Sequence, residues 1–273
     1  MSEKGDKMPK VSVIMGVFNC KDPKMLEDSV ASIINQTYKD WEFIICNDGS
    51  TNNTLEILEK VAKLDSRIRI ISYEKNKGLA NALNYCLKYA NGELIARQDD
   101  DDISLPDRFE KQVAFLNKHK EYNLVGTIAY VYDDNGIWGS YALDKEPSKT
   151  SFLWNSPFIH PSIMVYKSDL FKIGGYRVAK ETRRCEDYDL FMRMYAVGMR
   201  GYNIQEKLYK YRIVRNSDKK HRPMKYRIDE AIVRYQGFKK MGIFVKGLPY
   251  IVKPLILGMI PQFFYKHIKK RTY

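Results

Sequence analysis

The run Glu93-Leu-Ile-Ala-Arg-Gln-Asp-Asp-Asp-Asp102 joins an apolar strand over Glu93 to Gln98 to four consecutive aspartates. An open α/β sheet binds ligands beyond the carboxyl ends of its strands, so charge that begins where a strand stops marks a candidate site. Upstream, Val11 to Val17 is an apolar run bounded by Pro9 and Asn19, the pattern of a strand buried on both faces. Asp22-Pro23 supplies an N-cap and a first-turn proline, and Leu26, Val30, Ile33 and Ile34 follow at helical spacing. Trp41 to Cys46 and Ile68 to Tyr73 read as two further strands. Leu55, Leu58, Val61 and Ala62 mark one helix; Leu79, Leu83, Cys86 and Leu87 mark another. The order β-α-β-α-β-α-β predicts a parallel sheet with right-handed crossovers.

Beyond the aspartates the alternation loosens. Ser104 with Asp107 has the spacing of a capping box for a helix carrying Phe109, Val113 and Leu116. Leu124 to Tyr132 and Trp138 to Leu143 flank an Asn-Gly turn and predict a hairpin. Ser162 to Tyr166 predicts a strand and Glu186 to Val197 a helix. The chain reads as one α/β domain over residues 1–212 with a helical appendage over 213–273.

Charge separates these two parts. Of 273 residues, 44% are hydrophobic and 29% charged, which suits a packed core. The formal net charge is +13, yet residues 203–273 hold 18 Lys and Arg against 4 Asp and Glu, leaving 28 against 29 elsewhere. A nearly neutral body with a basic end predicts an anionic partner for that end. Residues 246–271 place short apolar blocks between basic ones, a pattern suited to lying in a membrane interface, beside the rival readings of a tail packed on the body or a dimer contact. Pro249, Pro254 and Pro261 argue against a spanning helix. No segment reaches the roughly 18 uninterrupted apolar residues of a bilayer span. The N-terminus carries no apolar signal core, and Cys20, Cys46, Cys86 and Cys185 show no CxxC spacing. These features predict a cytoplasmic chain with reduced thiols.

Three strand ends carry candidate ligand groups: Phe18-Asn19, Asn47-Asp48-Gly49-Ser50, and Asp99 to Asp102. Asp48 reads as a carboxylate free to accept from a base N–H or a sugar hydroxyl, beside the plainer reading of a tight Asp-Gly turn. In extended chain Asp99 and Asp101 point the same way, about 7 Å apart at Cα. Carboxylates so placed can share a hard divalent cation, Mn2+ or Mg2+. The plainer alternative is a solvated acidic loop in which Asp102 and Ser104 cap the next helix, but four adjacent carboxylates repel one another unless a cation offsets them. Glu186-Asp187 opens a helix whose dipole favours an ionised aspartate, as a general base requires.

In order along the chain, Val11 to Asn19, Asn47-Asp-Gly-Ser-Thr51, Asn76-Lys-Gly-Leu-Ala-Asn81, Ala96 to Asp102, His160-Pro-Ser162, Gly174-Gly-Tyr176 and Glu186-Asp-Tyr-Asp189 resemble the signature of family 2 glycosyltransferases over roughly residues 9–212. The similarity is to the bacterial enzymes of exopolysaccharide, capsule and O-antigen assembly. The resemblance implies a GT-A fold, a Rossmann-like, mostly parallel sheet flanked by helices, here with a membrane-associating helical appendage. It also implies inverting transfer from a nucleotide-sugar, most often UDP-linked. The acceptor it implies is a saccharide on a polyprenyl diphosphate, met by a peripheral enzyme on the inner face of the plasma membrane. Carried across, Phe18, Asn19, Asp48, Lys77, Gly78, Asp99 and Asp100 bind the donor, Asp101 holds the metal, and Asp187 is the base. Gly175, in a loop that passes near the sugar, then serves acceptor or diphosphate with His160 and Glu186. Relatives often carry a histidine after a Tyr-Arg pair, whereas Tyr211-Arg212-Ile213 is followed here by Val214. That role passes to Arg215, Lys219, Lys220 or His221, or is absent.

Two other readings make different demands. A nucleotidyltransferase needs a glycine-rich basic phosphate loop, which Gly16-Val17-Phe18-Asn19 does not supply. A nucleic-acid-binding protein explains the basic end but not three polar strand ends, two of them acidic, and no nucleic-acid module is recognisable; no nucleic-acid partner is expected.

Overall fold

A computed structural model describes residues 10–215 and 223–259. Among them nine strands form one sheet: β1 (Val11–Val17), β2 (Trp41–Asp48), β3 (Ile68–Tyr73), β4 (Leu94–Arg97), β5 (Ile103–Ser104), β6 (Leu124–Asp133), β7 (Gly136–Tyr141), β8 (Met164–Tyr166) and β9 (Gly201–Arg212). The helices are α1 (Pro23–Ile34), α2 (Thr54–Ala62), α3 (Leu79–Tyr89), α4 (Arg108–Lys118), α5 (Lys167–Lys172), α6 (Glu186–Ala196), α7 (Met224–Met241) and α8 (Phe244–Met259). The sheet order is β3-β2-β1-β4-β8-β6-β9-β5, with β7 paired to β6. Strands β3, β2, β1 and β4 are parallel, as the apolar runs predict. Strand β8 is antiparallel to both β4 and β6, while β6 and β9 are parallel.

Alternation along each strand builds two cores. Val13, Met15, Phe43 and Ile45 face α1, α2 and α4. Ile14, Ile44 and Ile95 face α3 and α6. Helix α1 starts as its sequence predicts: the Asp22 carboxylate accepts from the N–H groups of Lys24 and Met25, and Pro23 takes the first turn. With both faces covered, the polar ends of β1, β2 and β4 open together along one edge of the sheet.

Four expectations change. Ser104 is no helix cap; it lies in β5, where its hydroxyl donates to Gln98 Oε1 and accepts from Arg108 Nη1. Asp107 precedes α4 without a side-chain cap bond and pairs instead with Lys111. The strand expected from Ser162 starts at Met164, because His160–Ser162 closes a 3-10 turn in which Ser162 Oγ donates to the Ile159 carbonyl. Pro249 and Pro254 do not break the C-terminal helix: α8 runs through both, each leaving one carbonyl of the preceding turn without its helical donor. Pro261 and the rest of the basic end from residue 260 lie outside the described residues.

The first C-terminal helix is seated on the body. Arg234 of α7 is buried, and its guanidinium donates to the carbonyls of Leu153 and Trp154 and to Tyr188 Oη on α6. No described helix is long and apolar enough to cross a membrane.

Candidate active site

At the ends of β1 and β2 the chain stitches its own loops together. Asn19 sits in the left-handed region (φ 49°). Its N–H donates to Ser50 Oγ at 2.9 Å, and its Oδ1 accepts from the Thr51 N–H at 2.9 Å. Phe18 beside it is exposed. Asp48 is buried and accepts from Tyr73 Oη, Asn76 Nδ2, and the N–H groups of Lys77 (2.8 Å) and Gly78 (2.9 Å). The expectation of a free carboxylate therefore does not hold. Its oxygens shape the Lys75–Gly78 loop and the start of α3. Gly49 (φ +62°) permits this, because a Cβ there would meet the Lys75 carbonyl carbon at 2.3 Å. The Lys77 ammonium is left over the Tyr73 ring, 5.0 Å from its centre.

The aspartate run is a turn, not extended chain: Asp100 and Asp101 form its corner. The corner brings Asp102 round to join the two residues expected to converge. Carboxylate oxygens of Asp99, Asp101 and Asp102 lie within 4.8 Å of one another. The turn is fixed from below. Gln98 Nε2 donates to the Asp102 carbonyl at 2.9 Å, and buried Arg108 donates to the Arg97 and Ile163 carbonyls, Ser104 Oγ and Gln98 Oε1. From the side, Tyr132 Oη donates to the Asp101 carbonyl at 2.6 Å, and the Arg212 N–H to Asp102 Oδ1 at 2.7 Å. Asp102 Oδ2 is buried with no hydrogen-bond partner. Three converging carboxylates with one orphaned oxygen offer the oxygen ligands that a hard divalent cation prefers. The chemistry fits Mn2+ or Mg2+.

A cavity of about 310 Å³ connects this cluster to the start of α6. Asp99 and Arg97 line one wall; Glu186, Asp187 and Arg184 line another, with His160 and Tyr211 between. Arg184 has φ +62°, a left-handed turn that swings the chain into α6 and sets Glu186 and Asp187 in its first turn. His160 is buried and its Nε2 shares a hydrogen bond of 2.8 Å with Tyr176 Oη. A larger cleft of about 620 Å³ lies elsewhere, between α1, β5 and the β6–β7 turn, and contains none of the expected site residues.

Electrostatics in the site follow from burial and like charge. Burial, then the charges of Asp99 and Asp101, push the Asp100 carboxyl up to about 7. Burial and Asp99 push Asp101 up to about 6, and Asp102 goes well above the usual carboxylate range for the same reasons. Burial, then Asp187, raises Glu186 to about 7. Burial and then Arg97 hold His160 well below its ordinary value, so it is neutral at pH 7. Arg97, almost fully buried, pairs with Asp99 through Nη1.

The expected site residues thus fall into groups. Asp99, His160, Glu186 and Asp187 share the cavity, with Asp101 joined to it through the carboxylate cluster. Phe18, Asn19, Asp48, Lys77 and Gly78 form a neighbouring rim that does not line it. Gly175 does not line it either: it is buried at φ +66° against Asn84, which clamps the backbone of Tyr176 on both sides, Nδ2 to its carbonyl and Oδ1 from its N–H. Asn84 in this way seats Tyr176, whose Oη meets His160. Arg215 forks onto Asp133, both contacts at 2.9 Å, and is committed there. Lys219, Lys220 and His221 lie outside the described residues. Asp102 and Arg97 were missed as site residues. A lone arginine ending an apolar strand beside four aspartates was the available signal for Arg97; nothing in the spacing distinguished Asp102 from a cap.

Comparison with known proteins agrees with this geometry. Residues 12–175 match the description Glycosyl transferase family 2. EpsE of Bacillus subtilis is 46% identical over 255 residues, covering 93% of this chain and 90% of that protein. An Escherichia coli UDP-Gal:alpha-D-GlcNAc-diphosphoundecaprenol beta-1,3-galactosyltransferase is 29% identical over 276 residues, 98% of each chain. The mannosyltransferase PcManGT of Pyrobaculum calidifontis, solved with GDP-Man and Mn2+, superposes with a TM-score of 0.64 at 16% identity, covering 93% of this chain and 74% of that one. Its ordered motifs, its sheet and these matches make the chain a member of glycosyltransferase family 2, with the GT-A fold.

Proposed function

We propose that the protein moves a sugar, with inversion, from a nucleotide diphosphate donor to a hydroxyl of a lipid-linked saccharide during surface-polysaccharide assembly. The observation that carries this reading is one cavity lined by Asp99 of the three-carboxylate cluster and by Glu186-Asp187 at a helix N-terminus. Asp187 takes the acceptor proton as the acceptor oxygen bonds to the anomeric carbon and the bond to the diphosphate breaks. Glu186, raised to about 7 by burial and then by Asp187, lines the same wall beside it. Asp99, Asp101 and Asp102 would hold Mn2+ or Mg2+, which when bound supplies Lewis-acid stabilisation of charge on the leaving diphosphate. Neutral His160, fixed by Tyr176, presents a hydrogen-bonding edge to the sugar or acceptor. Phe18, Asn19 and the loop shaped by Asp48 form the nucleoside rim, with Lys77 and Asp100 alongside.

The galactosyltransferase name supports UDP and a diphosphoundecaprenol-linked acceptor; the mannosyltransferase supports Mn2+ with GDP as the other donor class. Such an acceptor would be met at the inner face of the plasma membrane, which four buried cysteines outside any disulfide suit. Val245, Leu248, Val252, Ile256 and Met259 are exposed along one face of α8, and Lys253 lies over the exposed Trp154 ring, 3.3 Å from its centre. That surface supports an interfacial position for the helix.

Thermal shift with UDP, GDP, CDP and dTDP, with and without Mn2+, tests the donor assignment. One nucleotide should raise Tm only with metal, and Asp101→Asn should abolish the shift. No shift with any of them would refute the donor site.

A further inference from the structure

We propose that Arg97 is a positioning residue that occupies Asp99 in the free enzyme and releases it to the cation site only when a nucleotide diphosphate is present, so that ion and nucleotide bind together. The proposal rests on the reading of Asp99, Asp101 and Asp102 as the cation site.

Its partner and its place at the cavity set Arg97 apart from the buried Arg108 and Arg234. Arg108 directs its guanidinium at backbone carbonyls and neutral side-chain oxygens, and Arg234 holds the Leu153 and Trp154 carbonyls while pairing with Glu230 one turn away on its own helix. Arg97, with a side chain 2% exposed, pairs with Asp99 of the carboxylate cluster, and its Nε is buried with no hydrogen bond. It is also the one of the three that lines the cavity. A buried guanidinium with an idle donor is costly unless something anionic completes it.

The partner it holds is itself a member of the three-carboxylate cluster. One carboxylate is therefore shared between a fixed cation and an incoming one. A positive charge beside the cluster repels a divalent ion arriving alone, and the ion must also break the Arg97–Asp99 pair. A diphosphate changes both terms. It offers the guanidinium a replacement anion with the fork-matching oxygens that arginine prefers, and it brings negative charge that offsets the ion. Asp99 is then free to complete the carboxylate set. By linkage, nucleotide must tighten the ion by the same factor as the ion tightens nucleotide.

The experiment is a Mn2+ titration followed by the electron paramagnetic resonance signal of free Mn2+, with and without UDP or GDP, on wild type, Arg97→Gln, Arg97→Lys and Asp101→Asn. Without nucleotide, Arg97→Gln should bind Mn2+ about tenfold or more tightly than wild type, while Arg97→Lys, which keeps the charge, stays near wild type. Nucleotide should tighten Mn2+ on wild type about tenfold or more, and on Arg97→Gln much less. General damage to the site would weaken Mn2+, not strengthen it. If nucleotide brings Mn2+ onto wild type but Arg97→Gln alone binds it no more tightly, the role of Arg97 is refuted and the cation site stands. If no protein binds Mn2+ under any condition, or Asp101→Asn binds it like wild type, both fail. Should Arg97→Gln not fold, wild type still decides: Mn2+ affinity that is indifferent to UDP and GDP overturns the proposal.

Discussion

Replacing Asp101 by asparagine deletes one charge from the carboxylate cluster while keeping the side chain's shape, and its effect on the metal-free protein should depend on pH. Burial and the neighbouring Asp99 raise the Asp101 carboxyl from 3.8 to about 6. The unfolded chain releases that proton near its ordinary value, so between about pH 4 and pH 6 the folded protein binds more protons than the unfolded one. Stability from this group is thus lost as pH rises through that window, and above it the full cost persists. Holding the ionised carboxylate in this setting costs the folded state about 3 kcal/mol. Asparagine carries no such cost. In chelator at pH 7.5, Asp101→Asn should therefore melt higher than wild type, by about 5 °C for a chain of this size. The gap should shrink to about a third by pH 4.5 and close near pH 3, and donor nucleotide with Mn2+ should reverse the order at pH 7.5. Melts followed by circular dichroism across this pH range measure it. A variant no more stable than wild type in chelator at pH 7.5, or a gap unchanged by acid, would refute the reasoning.

Other perturbations test the surroundings of the site. Arg108→Met removes donors to the Arg97 and Ile163 carbonyls, Ser104, Gln98 and Gln112, and we predict a loss of about 3–5 kcal/mol in denaturant melts. Gly175→Ala places a Cβ 2.7 Å from Asn84 Oδ1 at φ +66°, for about 1–2 kcal/mol of destabilisation, read as a lower urea midpoint. Leu248→Asp combined with Ile256→Asp, both exposed on α8, should lower flotation with anionic vesicles at least about tenfold while leaving the melting temperature near wild type. Unchanged flotation would remove α8 from the membrane surface.

How much of this was legible in the sequence depended on how local the determining physics is. Strands β1 to β4 are continuous apolar runs, and their helices carry one apolar face each, so order and parallel pairing follow from the residues alone. Asp22-Pro23 was readable because a cap and a first-turn proline act within four residues. Ser104 was misread for the converse reason: its spacing to Asp107 imitates a cap, but its partners Gln98 and Arg108 come from a tertiary network around the aspartate turn. Asp102 was obscured by the assumption of extended chain, where alternation would send it away from Asp99 and Asp101; a turn at Asp100-Asp101 brings it back. The satisfied carboxylate of Asp48 depends on a loop 28 residues downstream, and Gly175 on Asn84 92 residues before its neighbour Tyr176. Neither contact leaves a mark in spacing. The prolines of α8 were weighed as helix breakers, yet the helix tolerates both.

The central claim is that one cavity divides its labour, with the aspartate turn holding the donor and Asp187 serving the acceptor. The direct measurement is donor binding and turnover on the same preparations of wild type, Asp187→Asn and Asp101→Asn, using calorimetry with Mn2+ and a transfer assay with a diphosphate-linked lipid saccharide. Asp187→Asn should bind the nucleotide donor like wild type and turn over about 10²–10⁴ times more slowly, while Asp101→Asn should lose donor binding itself. Near-normal turnover in Asp187→Asn, or unimpaired donor binding in Asp101→Asn, would contradict the account.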